Sequence, residues 1–247
     1  MITREGYRFR EDICIPCYST DASFQMKPAA FMDFAQEIAY WAASALGFGY
    51  DQLHVHHTAW VLSRMHIHFE GYPKWRDNVK LTTWHKGLDG LYFLRDFFMD
   101  DDKGRHLITC TTSWVIIDEA TRRLVRPETI EHLLRVDGPM ESAIEEPCPK
   151  TVLPRGAEPQ SAGEHTVSYS DIDIIGHTNN VRYVVWAMDA LPYELTSTKR
   201  VKDLYISFIK ETTPGQKVEL YRLAAEDGWF IEGRVEGKAV FCVKFVF

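Results

Sequence analysis

Two stretches of this chain alternate apolar and polar residues with a period of two, and they match each other position by position. Ile67-His-Phe69 leads to Val79-Lys-Leu81, and Ile206-Ser-Phe208 leads to Val218-Glu-Leu220, the paired residues lying 139 positions apart throughout. Each stretch predicts a strand, a turn at Gly71-Tyr-Pro73 or Thr213-Pro-Gly215, and a second strand. Further turns at Asp102-Lys-Gly104 and Glu236-Gly237 precede the runs Leu107 to Ile117 and Ala239 to Phe247. Those runs are rich in Val, Ile, Thr and aromatic residues, which suit a pleated, half-buried surface.

Ahead of each strand set the apolar residues change to helical spacing. Phe31, Phe34, Ala35, Ile38, Ala42, Ala45 and Leu46 fall on one stripe, with Pro28 suited to a first turn and Gly47-Phe-Gly49 to a helix stop. Tyr183, Trp186, Ala187 and Leu191 form a second stripe within Asn179 to Leu191. Between the halves, Gly138 to Gly163 holds five of the eleven prolines and reads as an extended linker. The expected organisation is α+β: a first repeat over 1–137, a linker over 138–163 and a second repeat over 164–247. Fusing the two sheets into one would remove an exposed edge from each.

Composition narrows the class. With 45% apolar residues and 13% aromatics, 247 residues can build a substantial core. The net charge of -7 argues against a general nucleic-acid binder. No apolar run approaches the ~20 residues of a membrane span, and the opening Met-Ile-Thr-Arg-Glu-Gly-Tyr-Arg-Phe-Arg has no signal-peptide core, so the expected location is the cytoplasm. Cys14, Cys17, Cys110, Cys148 and Cys242 are odd in number and scattered, which speaks for reduced thiols; Cys14-Ile-Pro-Cys17 lacks the second pair a zinc site needs. Basic clusters at Thr121-Arg-Arg-Leu-Val-Arg126 and Lys199-Arg-Val-Lys202 could meet an acidic partner.

The candidate chemistry lies in Ser170-Asp-Ile-Asp-Ile-Ile-Gly-His-Thr-Asn-Asn-Val-Arg-Tyr183, which sets Asp173 and His177 four residues apart before an amphipathic run. A carboxylate, an imidazole and the N–H groups of a helix start can activate water and hold an oxyanion, although Asp and Asn at such places also serve as plain caps. Matching Pro28 with Asn179 gives a helix offset of 151, which sets Ala22 opposite Asp173 and Met26 opposite His177. On that register the first half lacks both groups, and one catalytic centre per chain is expected. There is no Gly-x-Ser-x-Gly nucleophile elbow, and Gly47-Phe-Gly49 is a poor dinucleotide fingerprint. The histidines at 54, 56, 57, 66 and 68 lack an acid or Cys arranged for a metal.

Motifs along nearly the whole chain resemble the acyl-acyl-carrier-protein thioesterases of the plant fatty-acid type and their bacterial relatives. They include Trp60-Val-Leu-Ser-Arg64-Met65, Tyr72-Pro73-Lys-Trp75, Val79-Lys-Leu-Thr-Thr-Trp84, Arg95-Asp96, Ser113-Trp114-Val115, Thr121-Arg122-Arg123-Leu124, Asp171-Ile-Asp173, His177-Thr-Asn179-Asn180-Val181, Tyr183 and Trp186. The resemblance implies a tandem hot-dog fold, in which each helix lies in the curl of an antiparallel sheet and the two copies form a pseudo-dimer. It also implies hydrolysis of an acyl thioester carried on phosphopantetheine. The expected mechanism uses no metal and no cofactor: a carboxylate, Asp173 first, activates water or attacks directly, while His177 orients the site and transfers protons. Family catalytic positions fall on Asp173, His177 and Glu211; Tyr72 stands opposite Glu211 in the first repeat, 139 positions earlier. Two departures are Ile175, where the family has Asn, and Thr212, where it has Cys, so an obligatory Cys nucleophile is not expected. The amides of Gly176 and His177 are candidate substitutes for the missing Asn. Gly176, Thr212, Asn179 and Phe34 are candidate substrate-binding residues, and Lys199, Arg200 and Lys202 candidate docking residues for acyl carrier protein. Pairing of chains within the family admits a homodimer. A CoA thioester substrate, a hot-dog hydratase or dehydratase, and a non-catalytic acyl or carrier-protein binding module are the competing readings.

Overall fold

The computed structural model describes residues 1–129 and 141–247. The expected boundary at 137, with Gly138 and Pro139, lies outside the described residues. The chain divides into two compact units, the first comprising Met1–Ser63 and Ile67–Cys148, the second Arg64–His66 and Pro149–Phe247. No described helix is long and apolar enough to cross a membrane.

The first unit contains strands β1 (Ile2–Glu5) and β2 (Arg8–Cys14), helices α1 (Pro28–Ala45) and α2 (Tyr50–Val55), and strands β3 (Thr58–Phe69), β4 (Asn78–Asp89), β5 (Tyr92–Asp100), β6 (His106–Asp118) and β7 (Leu124–Val125). Its sheet runs β1-β2-β4-β5-β6-β3, with β7 pairing β6. Helix α1 packs on β4 and β2. The expected stripe is its buried face over most of its length: Phe31, Ala35, Ile38 and Ala42 are buried, Phe34 and Leu46 are half-buried and Ala45 in the last turn is exposed, and Phe31 meets Phe97 of β5 edge-on at 6.4 Å. Gly47, with a φ of 84°, turns the chain back so that its N–H reaches Ser44 O and the Phe48 N–H reaches Ala43 O. Of the proline-rich segment, 141–148 is held on this unit. Trp84 Nε1 donates to Glu141 O at 2.7 Å, the Ala143 N–H to Asp96 Oδ2 at 2.7 Å, and the Cys148 thiol to Thr111 O at 3.1 Å. Burial pushes the Asp96 carboxyl up against the opposing pull of Thr111, Lys86 and that N–H.

The second unit contains β8 (Gln160–Thr166), α3 (Asn180–Asp189), α4 (Tyr193–Thr198), β9 (Asp203–Phe208), β10 (Lys217–Ala225), β11 (Gly228–Val235) and β12 (Lys238–Val246). Its antiparallel order is β9-β12-β11-β10-β8. Strand β8 starts at Gln160, inside the segment expected to be linker, because its edge pairs with β10. Helix α3 packs on β11 and β12 through Val181, Tyr183, Val184, Trp186 and Ala187. Each unit is thus a helix seated on an antiparallel sheet, the hot-dog arrangement.

The repeat holds in three dimensions, with one correction. Strands β3 and β9 end at Phe69 and Phe208, and β4 and β10 begin at Asn78 and Lys217, so the spacing of 139 stands. The helix entries, however, are 152 residues apart: α1 begins at Pro28 and α3 at Asn180, and the bridge Thr20↔Met26 recurs as Ile172↔Thr178. Asn179 is the cap residue outside α3, whereas Pro28 occupies the first helical position, so matching the two compared unlike positions. The counterparts of Asp173 and His177 are therefore Asp21 and Gln25, and the first unit does retain an acid.

Candidate active site

Asp173 and His177 sit on a short hairpin ahead of α3, the helix itself starting three residues beyond His177. The Asp173 N–H donates to His177 O at 3.0 Å, and the Gly176 N–H closes the turn on Asp173 O at 3.0 Å. Gly176 holds a φ of 85°, which its missing side chain permits. Its amide is thereby committed to the turn, which leaves that of His177 as the one not used in these backbone bonds. The Asp173 carboxylate accepts the Ile175 N–H at 2.9 Å, an Asx turn, and Ile174 and Ile175 point outward. Asn179 caps α3 by accepting the Val181 N–H at 2.9 Å.

Glu211 lies just beyond β9 and comes to this hairpin from a distant part of the sequence. Its Oε2 stands 3.2 Å from His177 Nδ1, with the two side chains 35% and 32% exposed. Both groups are open enough for a substrate to reach, and the contact engages one ring nitrogen while leaving Nε2 for a reacting group. Behind the pair is a fully buried knot of hydroxyls. Thr212 Oγ1 lies 2.7 Å from Thr178 Oγ1 and 3.0 Å from Tyr183 Oη; the Thr212 N–H donates to Tyr183 Oη at 3.0 Å, and Thr178 Oγ1 donates to Thr212 O at 3.1 Å. Burial pushes the Tyr183 phenol up, so its proton is retained. Thr212, expected beside substrate, faces this knot with no exposed surface.

Asp171 serves the same hairpin from inside. Its carboxylate accepts from the Ser168 N–H at 2.8 Å and Arg182 Nε at 3.1 Å, and lies 2.9 Å from His165 Nε2, while its carbonyl accepts the Asn179 N–H at 2.8 Å. Burial alone would raise this carboxyl; the partners outweigh it and hold it below the ordinary range. Sequence reasoning had missed Thr178 and the hydroxyl role of Tyr183. The polar run His177-Thr178-Asn179-Asn180 hides Thr178 among neighbours of its own kind, and the Tyr183 ring reads as part of the apolar stripe.

The first unit repeats the turn without the chemistry. The Asp21 N–H donates to Gln25 O at 2.8 Å, the Phe24 N–H to Asp21 O at 3.0 Å, and the Asp21 carboxylate accepts the Ser23 N–H at 2.8 Å. Gln25 replaces His177, and Tyr72, stacked on Phe69 at 4.9 Å, replaces Glu211. Phe34 is half-buried at the flank of the α1 stripe, while Trp41 is exposed and bonded to Glu37 at 2.8 Å. Lys199 and Lys202 are exposed and Arg200 is half-buried, at the segment after α4. All five cysteines are thiols outside any disulfide, with Cys14 and Cys17 exposed.

Comparison with known proteins gives this geometry its setting. The family model of the acyl-ACP thioesterase N-terminal domain matches residues 6–132, and that of the acyl-ACP thioesterase C-terminal domain matches residues 156–235. The chain is 27% identical over 238 residues to an oleoyl-acyl carrier protein thioesterase, chloroplastic, of Coriandrum sativum, covering 85% of this chain and 61% of the relative. A palmitoyl-acyl carrier protein thioesterase, chloroplastic, of Cuphea hookeriana is 28% identical over 244 residues, covering 92% and 56%. The chain therefore spans about three-fifths of the length of these curated relatives. Among solved structures, an acyl-ACP thioesterase from Bacteroides thetaiotaomicron superposes with a TM-score of 0.84 at 24% identity over 98% of both chains. The 12:0-ACP thioesterase from Umbellularia californica gives 0.84 at 21% identity, over 99% of this chain and 98% of the other. These likenesses share the fold. With two domain models of one family matched in order along most of its length, the chain belongs to the acyl-ACP thioesterase family.

Proposed function

We propose that this protein hydrolyses the thioester of fatty acyl-acyl carrier protein to the free fatty acid and the carrier protein. Membership of the family supports the substrate class. The observation that carries the reading is the His177–Glu211 pair, at 3.2 Å and open to solvent, in the unit whose sister has Gln25 and Tyr72 instead. Glu211 orients the ring through Nδ1, and Nε2 takes a proton from water as its oxygen attacks the thioester carbonyl carbon. The carbon–sulfur bond then breaks, and the same nitrogen returns the proton to the departing pantetheine sulfur. The Asp173 carboxylate, on the same hairpin as His177, is the second group for activating the water. The phosphopantetheine belongs to the substrate, and the scheme uses no metal. Lys199, Arg200 and Lys202 form the basic patch we assign to the acidic carrier protein, and Phe34 the flank of the acyl slot in the first unit.

The test is thiol release from a panel of acyl carrier protein thioesters beside the matching CoA esters, with wild type and Asp173→Asn. Asparagine keeps an oxygen to accept the Ile175 N–H, so the substitution removes charge while retaining the turn. Carrier-selective hydrolysis that falls ~10²–10⁴-fold in the variant supports both the reaction and a chemical role for Asp173. Near-normal turnover in the variant would reduce Asp173 to the turn-forming role of Asp21. No hydrolysis of either series by wild type would transfer the site to enoyl-thioester hydration or to binding alone.

A further inference from the structure

We infer that Tyr183, Thr212 and Thr178 form a positioning device for the acid–imidazole pair, fixing Glu211 and His177 to one another through a closed cycle of buried hydroxyl bonds. The inference rests on the reading of His177 and Glu211 as the reacting groups. Each knot residue adjoins, or holds, one of the pair: Thr212 follows Glu211, Thr178 follows His177, and Tyr183 reaches Thr212 from the first turn of α3. A consistent set of donors satisfies the cycle. Thr178 donates to Thr212 O, Thr212 donates to Thr178 Oγ1, Tyr183 donates to Thr212 Oγ1, and the Thr212 N–H donates to Tyr183 Oη. Every hydroxyl is then used as a donor once, and the cycle joins the two segments that bring Glu211 to His177.

The sister unit shows that the fold does not require this cycle. By the spacings of 152 and 139 the counterparts of Thr178, Tyr183 and Thr212 are Met26, Phe31 and Pro73. The backbone junction is the same in both, Met26 N–H to Pro73 O at 2.9 Å and Thr178 N–H to Thr212 O at 3.0 Å. Yet the first unit carries no hydroxyl at any of the three positions, and Pro73 lacks even the N–H that Tyr183 accepts. Met26 and Phe31 are fully buried there. An apolar junction thus builds the same hairpin, helix start and strand end. The hydroxyls occur where the acid–imidazole pair occurs, and burying three of them is costly unless every one is bonded.

The experiment compares Tyr183→Phe, Thr212→Val and Thr212→Ser with wild type. Valine keeps the shape of threonine without its hydroxyl, and serine keeps the hydroxyl. Two readouts are taken: kcat and KM for acyl carrier protein thioester hydrolysis, and the His177 tautomer by long-range proton–nitrogen NMR, assigned with His177→Ala. Tyr183→Phe and Thr212→Val should lower kcat by about 10- to 100-fold, as a misplacement of around 1 Å can do, with KM within about twofold. Both should also lower the Nδ1–H share of His177, and Thr212→Ser should restore both quantities. Unchanged kcat and tautomer in folded Tyr183→Phe and Thr212→Val overturn the proposal, as does a loss that tracks only the folded fraction or that serine fails to restore. If Tyr183→Phe does not fold, the Val and Ser pair decides alone. A wild type without thioesterase activity would sink the functional reading, while the tautomer measurement would still judge the positioning claim.

Discussion

Asp173 and Asp21 make the same turn, so the turn itself does not distinguish the two repeats, and the residues that do are His177 and Glu211. Glu211→Gln, which preserves size and removes the charge beside Nδ1, should lower kcat about 10²-fold or more with little change in KM, measured as thiol release. A second residue sets a pH dependence of stability. His85 is buried on β4 opposite Arg95 of β5, and burial first, then the charge of Arg95, pushes its pKa from 6.5 down to about 4. Between those values the unfolded chain binds a proton that the folded protein refuses, so this contribution is intact above pH 6.5 and is lost as pH falls toward 4. The loss is about 3 kcal/mol at its limit, and urea titrations at pH 7 and pH 5 should show a smaller pH-dependent drop for His85→Gln than for wild type. The Asp173–His177 spacing was legible in sequence because both lie in one five-residue loop. The buried cycle behind them was not, because Thr212 reaches Thr178 and Tyr183 only once the sheet has brought distant segments together.

At the scale of elements, α3 depends on what β11 lacks. Gly233 pairs with Phe241 across β11 and β12, and a Cβ on Gly233 would come within 2.1 Å of the Phe241 ring. The glycine lets that ring lie flat enough to pack on Tyr183 at 5.1 Å. Gly233→Ala should therefore cost about 1–3 kcal/mol in chemical denaturation, and should lower kcat as well by moving the ring under Tyr183. Asn179→Ala, which removes the cap of α3, should cost about 1 kcal/mol in the same measurement. Helices α1 and α3 were readable from apolar spacing, since a stripe facing a sheet needs no knowledge of its partner, whereas the short helices α2 and α4 were not expected. The edge strands β1 and β8, and β2 beside β1, were not, because Arg8–Cys14 and Gln160–Thr166 carry mostly polar residues and are strands by pairing, not by apolar alternation.

For the whole molecule, the sister comparison predicts one centre per chain. Asp21→Asn and Gln25→Ala should leave kcat within about twofold, while His177→Ala should abolish turnover under the same assay. An equal loss from the first pair would show that both repeats take part in the reaction. The duplicated pattern, the helix-plus-sheet class and the family were all contained in the sequence, because period, turn residues and short motifs are local properties of the chain. The tertiary structure decided the register of the repeat. It shows Asn179 outside its helix and Pro28 inside, and so places Asp21 and Gln25, not Ala22 and Met26, opposite the candidate catalytic residues. It also decided which acid meets the imidazole: Glu211 is 34 positions from His177 along the chain and 3.2 Å away in the fold. Such contacts depend on strand pairing and on the burial of hydroxyls that must find partners, which are properties of the packed sheet and not of any local stretch.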